Sequence, residues 1–320
     1  MSFENSFAAA LDNAEWAFTV LLVVDMVAFW IRRDKHAERG RQGYGFKDTA
    51  VNLVIRIAGN FIGPYTALLG AGLLIVVVAE ATPLQWSMHH PALWLFVLLL
   101  ADLAYYAEHR TAHRVRILWA THSVHHSSER FNLSTAYRLG IFGATDLLGY
   151  LWYVPIAAIG APPSAIFLTR ALTIIIQIPI HTERVDRLWA PIEWTFNTPS
   201  NHRVHHGANN PYLDKNFGGM FMIWDHLFGT YASEREPVQY GLVHNIGTYN
   251  PITVYFHEFR AIGRDLRLAR GIGELTGYLF GPPGWQPARR KTGDPAPVPA
   301  EQAVPVSAER HLIAGPVREG

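Results

Sequence analysis

The chain has 320 residues, with 27 basic side chains against 26 acidic ones, 16 histidines and no cysteine. The lack of cysteine excludes disulfide bonds, iron–sulfur clusters, haem–thiolate centres and cysteine-ligated zinc fingers. A net charge of +1 gives no electrostatic reason to expect a nucleic-acid partner, because phosphate binding needs a concentrated cationic face. Charged residues make up only 17% of the chain and aromatic residues 12%, a balance that indicates a membrane protein.

Long apolar runs predict an all-α fold, a polytopic membrane helical bundle of about four to five segments. A helix needs about 20 apolar residues to cross roughly 30 Å of hydrocarbon. The third run is short and flows into charged sequence, so its helix is expected to continue beyond the membrane. Two prolines separate the last two runs, which we expect to form a hairpin that spans the bilayer or re-enters it. The runs occupy residues 14–31, 61–79 (the clearest span), 92–107, 141–161 and 164–180.

Lysine and arginine predict the orientation of this bundle. Seven of them lie between residues 32 and 56, whereas 1–13 and 80–91 contain none. The positive-inside rule therefore places the basic side in the cytoplasm. Counting spans puts residues 108–140 and everything after about 181 on that same side.

The C-terminal sequence differs in composition from the rest. From residue 282 it is rich in proline and alanine with little apolar periodicity, which is typical of a disordered tail. We therefore expect one integral membrane domain over residues 1–281, with its histidine-rich core at about 90–260, followed by a tail over 282–320.

Eight histidines fall into three short boxes with the spacing of metal ligands. Residues i, i+3 and i+4 of an α-helix lie within an arc of about 100°, so each box directs its imidazoles to one side. With histidine at about 5% of the chain, two HxxHH triplets arise by chance on the order of once in a thousand such chains. Neutral imidazole binds iron, zinc, copper and nickel, so the boxes predict a metal centre. The eight residues are His109 and His113, then His122, His125 and His126, then His202, His205 and His206.

Eight imidazoles are too many for one ion and fit two metals with about four protein ligands each, leaving positions open for O2 or water. The Glu-x-x-His pairs of soluble di-iron bundles and the His-Glu-x-x-His of zinc proteases are both missing. A nearly all-histidine set favours redox-active iron, with zinc as the alternative, and a lipid C–H bond as the target. A metal transporter or storage protein is the rival hypothesis, but transport needs ligands inside the spans, and the boxes are predicted outside them.

The sequence around the boxes resembles the fatty acid hydroxylase and sterol desaturase superfamily of membrane non-haem di-iron enzymes. The pattern of that family is HxxxH, HxxHH and a later HxxHH, and the similarity is greatest to its alkylglycerol monooxygenase branch. The resemblance covers about residues 90–260 and depends on longer words as well as on the boxes. These words are DLAYY (102–106), HHSSERFNLSTAYR (125–138), HTE (181–183), NTPSNHRVHHG (197–207), LDKNFGG (213–219) and WDHLFGTY (224–231).

The resemblance implies an oxidoreductase with two iron ions that uses O2 to hydroxylate or desaturate a membrane lipid, or to cleave an ether lipid. Electrons would come from a separate donor of the cytochrome b5, ferredoxin or pterin type. The resemblance also implies that the eight box histidines are metal ligands and that His181, in the HTE word, is a ninth.

Four further polar residues are candidates for supporting roles beside the ligands. Glu183 and Asp225 are expected to orient a ligand imidazole and offset the metal charge, with simple surface roles as the alternative. Asn216 would donate a hydrogen bond near the oxygen site or shape the turn that follows it. Asp102 lies seven residues before His109, two helical turns away on the same face, where it could hold the second nitrogen of a ligand.

Overall fold

Helices account for the regular structure of the described chain. The computed structural model describes residues 3–31, 42–139 and 148–291. Within these ranges the one β interaction is an isolated antiparallel bridge between Phe196 and Phe221. The expected all-α class is therefore confirmed for the described residues.

The helices group into two compact units, Met1–Trp285 and Gln286–Gly320. Short 3-10 helices at Leu133–Tyr137 and Gly149–Tyr153 add to the first unit. Its α-helices are α1 (Phe3–Ile31), α2 (Phe46–Leu69), α3 (Gly72–Ala81), α4 (Pro91–Arg114), α5 (Arg116–His126), α6 (Val154–Ala158), α7 (Pro163–Ile175), α8 (Ala190–Thr195), α9 (Pro199–His205), α10 (Ile223–Phe228), α11 (Pro251–Arg267) and α12 (Ile272–Phe280). The second unit contributes α13 (Ala288–Lys291), and the tail expected from residue 282 stays a prediction.

Helix α4 carries the first histidine box, and its sequence explains how it begins. Pro91 occupies the first turn, where its missing N–H leaves no bond unmade, and the His90 ring accepts a 3.2 Å hydrogen bond from the Ala92 amide. The apolar run 92–107 then continues without a break to Arg114. The prediction that this helix extends beyond the apolar run is confirmed. In the described ranges α4 alone is long and apolar enough to cross a membrane.

The run 61–79 does not form one helix, so the prediction of a single span there is wrong. It is divided between α2 and α3, because Gly70 leaves α2 with an extended backbone. Glycine has the largest conformational entropy to lose in a helix, so it favours an end at this point. The shorter apolar helical stretches in the described residues are Trp16–Ile31, Gly72–Ala81 and Pro163–Ile175.

The segment before His181 is also less regular than expected. Residues 140–147 lie outside the described ranges, and the rest of the run 141–161 forms short helices. A break at the two prolines is confirmed, since α7 begins at Pro163. Helix α7 ends at Ile175, because Pro179 has no amide to donate and its ring would clash with the Ile175 carbonyl. The turn that follows brings His181 out of the helix.

Small and branched side chains pack α4 into the centre of the first unit. Ala101 and Val97 of α4 and Ala165 and Ile166 of α7 are fully buried in one core with Ile75 of α3. Alanine at such a contact lets two helix backbones approach closely. This packing holds the histidine end of α4 beside α5, from which α4 is separated by a single residue.

Candidate metal centre

All nine predicted histidines come together in two groups. In each group the possible ligand atoms all lie within 4.8 Å of one another. Every ring is buried except that of His122, which is half-buried. The five-His cluster is His109, His113, His122, His126 and His205, and the four-His cluster is His125, His181, His202 and His206.

Each HxxHH box contributes to both clusters. Helix α5 supplies His122 and His126 to one cluster and His125 to the other. Consecutive residues of an α-helix point about 100° apart, whereas residues four apart share a face. Adjacent histidines therefore serve different centres, and α9 with its C-terminal cap does the same through His205 and His206.

The ring nitrogens have the spacing of ligands around metal ions. The Nε2 atoms of His109 and His122 are 3.0 Å apart. In the other cluster, the Nε2 atom of His181 lies 3.0 Å from that of His202 and 3.3 Å from that of His125. Metal–nitrogen bonds of about 2.1 Å place neighbouring ligand nitrogens about 3.0 to 3.4 Å apart. Both clusters therefore match the dimensions of a metal polyhedron.

Four buried ring nitrogens of the clusters have no hydrogen-bond partner in the described structure. Three are Nε2 atoms, of His113 and His205 in the five-His cluster and of His206 in the four-His cluster, and the fourth is the Nδ1 atom of His125. An unsatisfied polar atom in a protein interior costs about 1–3 kcal/mol, so such atoms require an explanation. For the three Nε2 atoms, a lone pair directed at a metal ion provides one. The donor set therefore fits a pair of metal ions.

Backbone carbonyls hold the second nitrogen of several rings. A ring that donates its Nδ1–H to a carbonyl presents Nε2 as a lone pair, which fixes the tautomer that a metal needs. The tautomer of each ring follows from its hydrogen-bond partner. The Nδ1–H of His109 donates to the Phe217 carbonyl (2.9 Å), that of His181 to the Gln177 carbonyl (2.7 Å) and that of His205 to the Lys215 carbonyl (3.1 Å).

Burial keeps these imidazoles neutral. Desolvation lowers the pKa of His181 to about 4. Desolvation and then the neighbouring rings hold the pKa of His202 and of His206 well below the usual histidine range. Neutral imidazole is the form that binds metal, so the clusters are in their ligand form at pH 7.

Asp102 contacts a backbone loop in place of the expected imidazole. Its carboxylate accepts hydrogen bonds from the Met220 amide (2.7 Å), the Phe221 amide (3.2 Å) and the Trp224 indole (2.9 Å). Asp102 is fully buried, so its charge needs these donors. The residue ties α4 to the loop that carries the Phe217 carbonyl.

Asp225 supports the same loop from the other side. Its two carboxylate oxygens accept hydrogen bonds from the Phe217 amide (2.8 Å) and the Gly218 amide (2.7 Å). The Thr230 hydroxyl donates a third at 2.6 Å. Asp225 is therefore linked to the His109 ring through one intervening peptide group, because the Phe217 carbonyl is the acceptor of that ring.

Asn216 shapes the turn of the LDKNFGG word. Its backbone has a positive φ of 56°, a conformation that asparagine tolerates better than most residues. Its side-chain amide donates to the Asn201 carbonyl (3.0 Å) and the Ala232 carbonyl (2.8 Å), and its oxygen accepts from the Ala232 amide (2.8 Å). Of the two roles considered for Asn216, these contacts correspond to the turn.

Glu183 lies away from the rings. Its carboxylate accepts hydrogen bonds from the amides of Gln42 (2.9 Å) and Gly43 (3.2 Å), at the start of the segment that leads into α2. Backbone amides replace the expected imidazole because the turn after His181 directs residue 183 to this segment. Glu183 thus joins the HTE word to the N-terminal part of the chain.

One carboxylate beside a clustered histidine was not anticipated from the sequence. An oxygen of Asp214 lies 3.5 Å from the Nδ1 atom of His113. Its position in the LDKNFGG word is the signal that was available, because that word also supplies the Lys215 and Phe217 carbonyls. A single short segment therefore supports three rings of the five-His cluster.

Comparisons with known proteins identify the segment that holds this centre. Residues 94–230 match the fatty acid hydroxylase family model. These residues are a fatty acid hydroxylase domain. All nine clustered histidines lie inside it.

Relatives of the hydroxylase domain include several lipid-modifying enzymes. Human alkylglycerol monooxygenase is 35% identical over 276 residues, which are 86% of this chain and 60% of that protein. The zebrafish (Danio rerio) alkylglycerol monooxygenase is 41% identical over 206 residues, 64% of this chain and 45% of that protein. Ornithine lipid hydroxylase OlsE of Rhizobium tropici is 30% identical over 155 residues, 48% of this chain and 46% of that protein. The chain thus spans about half the length of the relatives it matches, and no solved structure matches it significantly.

Two cavities, each lined partly by residues outside 94–230, reach the clustered rings. A cavity of about 150 Å³ contacts rings of both clusters and is otherwise lined by aliphatic side chains, among them Ile174, Ile175 and Ile178, together with Arg56, Tyr105, Tyr137 and Gln177. A larger cavity of about 570 Å³ contacts a different set of rings and is bordered by Trp119 and Asp214. The smaller cavity is suited to a hydrocarbon chain, because its walls are mostly apolar.

Proposed function

We propose that this protein is a multi-pass membrane oxidoreductase that hydroxylates a C–H bond of a lipid. The net reaction consumes O2, two electrons and two protons, and it yields the hydroxylated lipid and water. The observation that carries this proposal is the convergence of nine imidazoles, eight of them buried, beside an apolar cavity, in a domain whose relatives are lipid hydroxylases and monooxygenases.

The two histidine clusters would each hold one iron ion. When bound, the iron pair would supply the redox chemistry that activates O2. The chain's own contribution is positional. Backbone carbonyls fix the ligand tautomers, and the aliphatic wall formed by Ile174, Ile175 and Ile178 keeps water from the site and aligns a hydrocarbon chain with it. The Tyr105 hydroxyl donates to the Gln177 side-chain oxygen at 3.1 Å, so these two polar groups of the cavity wall are paired with each other.

Cleavage of an ether lipid is the alternative within the same chemistry. It is supported by four alkylglycerol monooxygenases at 35–41% identity. Hydroxylation of the carbon beside an ether oxygen gives a hemiacetal that separates into an aldehyde and an alcohol, so both outcomes begin with the same oxygen insertion. Desaturation would use the same ligands with a different placement of the substrate carbons.

The histidine-bearing ends of the helices would face the cytoplasm, where a separate electron donor reaches them. Support comes from the seven lysines and arginines between residues 32 and 56 and from the polar segment after the apolar run of α4. The donor would be of the cytochrome b5, ferredoxin or pterin type, as the family resemblance implies.

The test compares the protein with its H125A variant and with H89A as a matched control. His89 is exposed and outside both clusters. Iron content is measured on each purified protein, and lipids of a deletion strain complemented with each are profiled for mass differences of one oxygen or two hydrogens. We expect H125A to lose iron and the oxygenated lipid, whereas H89A keeps both. Full lipid oxidation in H125A would refute the proposal.

A further inference from the structure

The two histidine clusters differ in the charge that lies behind their rings. Both are built from the same side chain, and in both the rings donate Nδ1–H hydrogen bonds to backbone carbonyls. Carboxylates approach only one of them among the described residues. Since a carboxylate behind a ligand imidazole raises the basicity of that ligand, this difference bears directly on metal affinity.

The first carboxylate acts on His109 through the peptide group between Phe217 and Gly218. The carbonyl of this group accepts the His109 Nδ1–H at 2.9 Å, and its N–H donates to Asp225 at 2.7 Å. These two hydrogen bonds are therefore made by the C=O and the N–H of the same peptide group. Negative charge on Asp225 therefore strengthens the carbonyl as an acceptor, because hydrogen bonds in a chain polarise one another.

The second carboxylate acts directly on His113. Asp214 lies 3.5 Å from the Nδ1 atom of this ring, and its side chain is 41% exposed. Arg114 approaches the same carboxylate at 3.4 Å. Asp214, within the LDKNFGG segment, and Asp225, which follows it, thus support two of the five rings in the five-His cluster.

The four-His cluster has neutral partners in the described structure. His181 donates to the Gln177 carbonyl, and the His202 Nδ1 atom lies 3.4 Å from the side-chain amide of Asn197. The nearest carboxylate along the chain, Glu183, is bound to backbone amides of residues 42 and 43. The rings of this cluster therefore lack the ionic support that the other cluster receives.

We propose that the five-His cluster is the high-affinity metal site and fills before the four-His cluster, with Asp214 and Asp225 as positioning residues that set the difference. This inference rests on the proposed function only in requiring that both clusters bind metal. A fifth ring also adds affinity to this cluster, so carboxylate variants are needed to show what the two aspartates contribute.

The test is a titration of the metal-stripped, detergent-solubilised full chain with Co²⁺ alone, followed by its visible absorption and by competition with a chelating indicator. We expect two resolved steps. H205A should remove the tight step and H202A the weak one. D214N should weaken the tight step about tenfold and leave the weak step unchanged, since losing such a partner typically costs 10- to 100-fold in affinity. E236Q, at an exposed carboxylate outside both clusters, should change neither step.

Two equal steps in the unaltered protein, or an unchanged tight step in D214N, would overturn the inference. D225N provides a second measurement at a buried position, and D214N keeps the test valid if D225N does not fold, because Asp214 is partly exposed. Metal binding is read without lipid turnover. A protein that shows the predicted steps but oxidises no lipid would therefore contradict the proposed function and leave this inference standing.

Discussion

The backbone amide of Met220 donates a 2.7 Å hydrogen bond to the Asp102 carboxylate, although 118 residues separate the two in sequence. The Phe221 amide and the Trp224 indole donate to the same carboxylate. This one buried charge joins the apolar helix α4 to the segment that supports the five-His cluster. The geometry of the centre therefore depends on a residue that contacts none of its rings in the described structure.

Replacing Asp102 by alanine should destabilise the domain by about 3 kcal/mol. The change leaves three buried donors without an acceptor, and each unsatisfied donor costs about 1–3 kcal/mol before the loop relaxes. Chemical denaturation followed by circular dichroism measures this, and the metal content of the purified variant should fall as the loop shifts. E80Q, at an exposed helical carboxylate, serves as the control. Unchanged stability in D102A would show that water replaces the carboxylate at no cost.

Alanine at Gly219 should distort the smaller cavity. A Cβ atom there would lie 2.5 Å from Cγ2 of Thr173 and 2.7 Å from Cδ1 of Tyr105, closer than van der Waals contact allows. We expect a loss of about 1–3 kcal/mol in the free energy of unfolding, as for other overpacked sites, together with reduced lipid turnover. G273A is the matched control, because nothing lies within 4 Å of its added Cβ and alanine favours a helix. Equal effects of both variants on turnover would rule out the steric explanation.

Glu108 of α4, which is buried, and Arg170 of α7, which is half-buried, form an ion pair. Their side chains meet at 3.1 Å, and the Tyr153 hydroxyl donates to the other Glu108 oxygen at 3.1 Å. R170M should destabilise the protein by about 3–5 kcal/mol, because it leaves an uncompensated charge in a low-dielectric interior. The double variant E108Q/R170M should recover most of that loss when unfolding free energies are compared. A double variant as unstable as R170M would indicate that packing of the guanidinium on the Tyr150 ring, 4.4 Å away, is the larger contribution.

Metal removal should lower the thermal stability of the protein. Nine imidazoles, eight of them buried, converge on two centres that exist in the folded state alone, so each ion they bind would add about 2.7 kcal/mol at a free concentration one hundred times its dissociation constant. Dialysis against a chelator should therefore lower the unfolding temperature, and added Fe²⁺ or Zn²⁺ should restore it. The H125A/H205A variant, with one ligand removed from each cluster, should respond much less. An unfolding temperature that stays the same after dialysis against the chelator would contradict metal binding at this site.

Local patterns in the sequence predicted the histidine constellation well. The boxes could be read because i, i+3 and i+4 share a helical face whatever the rest of the chain does. The continuation of the apolar run 92–107 into His109 and His113 was predicted for the same reason, since nothing in the sequence interrupts that helix. Longer words such as LDKNFGG marked the loop that supports the rings, although not the atoms by which it does so.

Features that depend on packing between segments far apart in the sequence could not be predicted from local patterns. Apolar composition indicated one span over 61–79, but a single glycine divides it, because hydrophobicity does not report where a helix ends. Helical periodicity predicted that Asp102 would lie beside an imidazole. Its carboxylate instead accepts hydrogen bonds from backbone amides more than one hundred residues away in the sequence. The helical spacing of one histidine box also does not show that its histidines belong to two different clusters.

The amino-acid sequence by itself determined the helical class, the apolar run of α4 and which imidazoles are candidates for metal binding, since each follows from composition or from contacts within a few residues. Only the tertiary structure decided how nine rings divide into groups of five and four, and which of those groups has carboxylates behind it. The physical reason is that ligand geometry and electrostatic support act over a few ångströms between segments far apart in the chain, and helix packing alone brings those segments together.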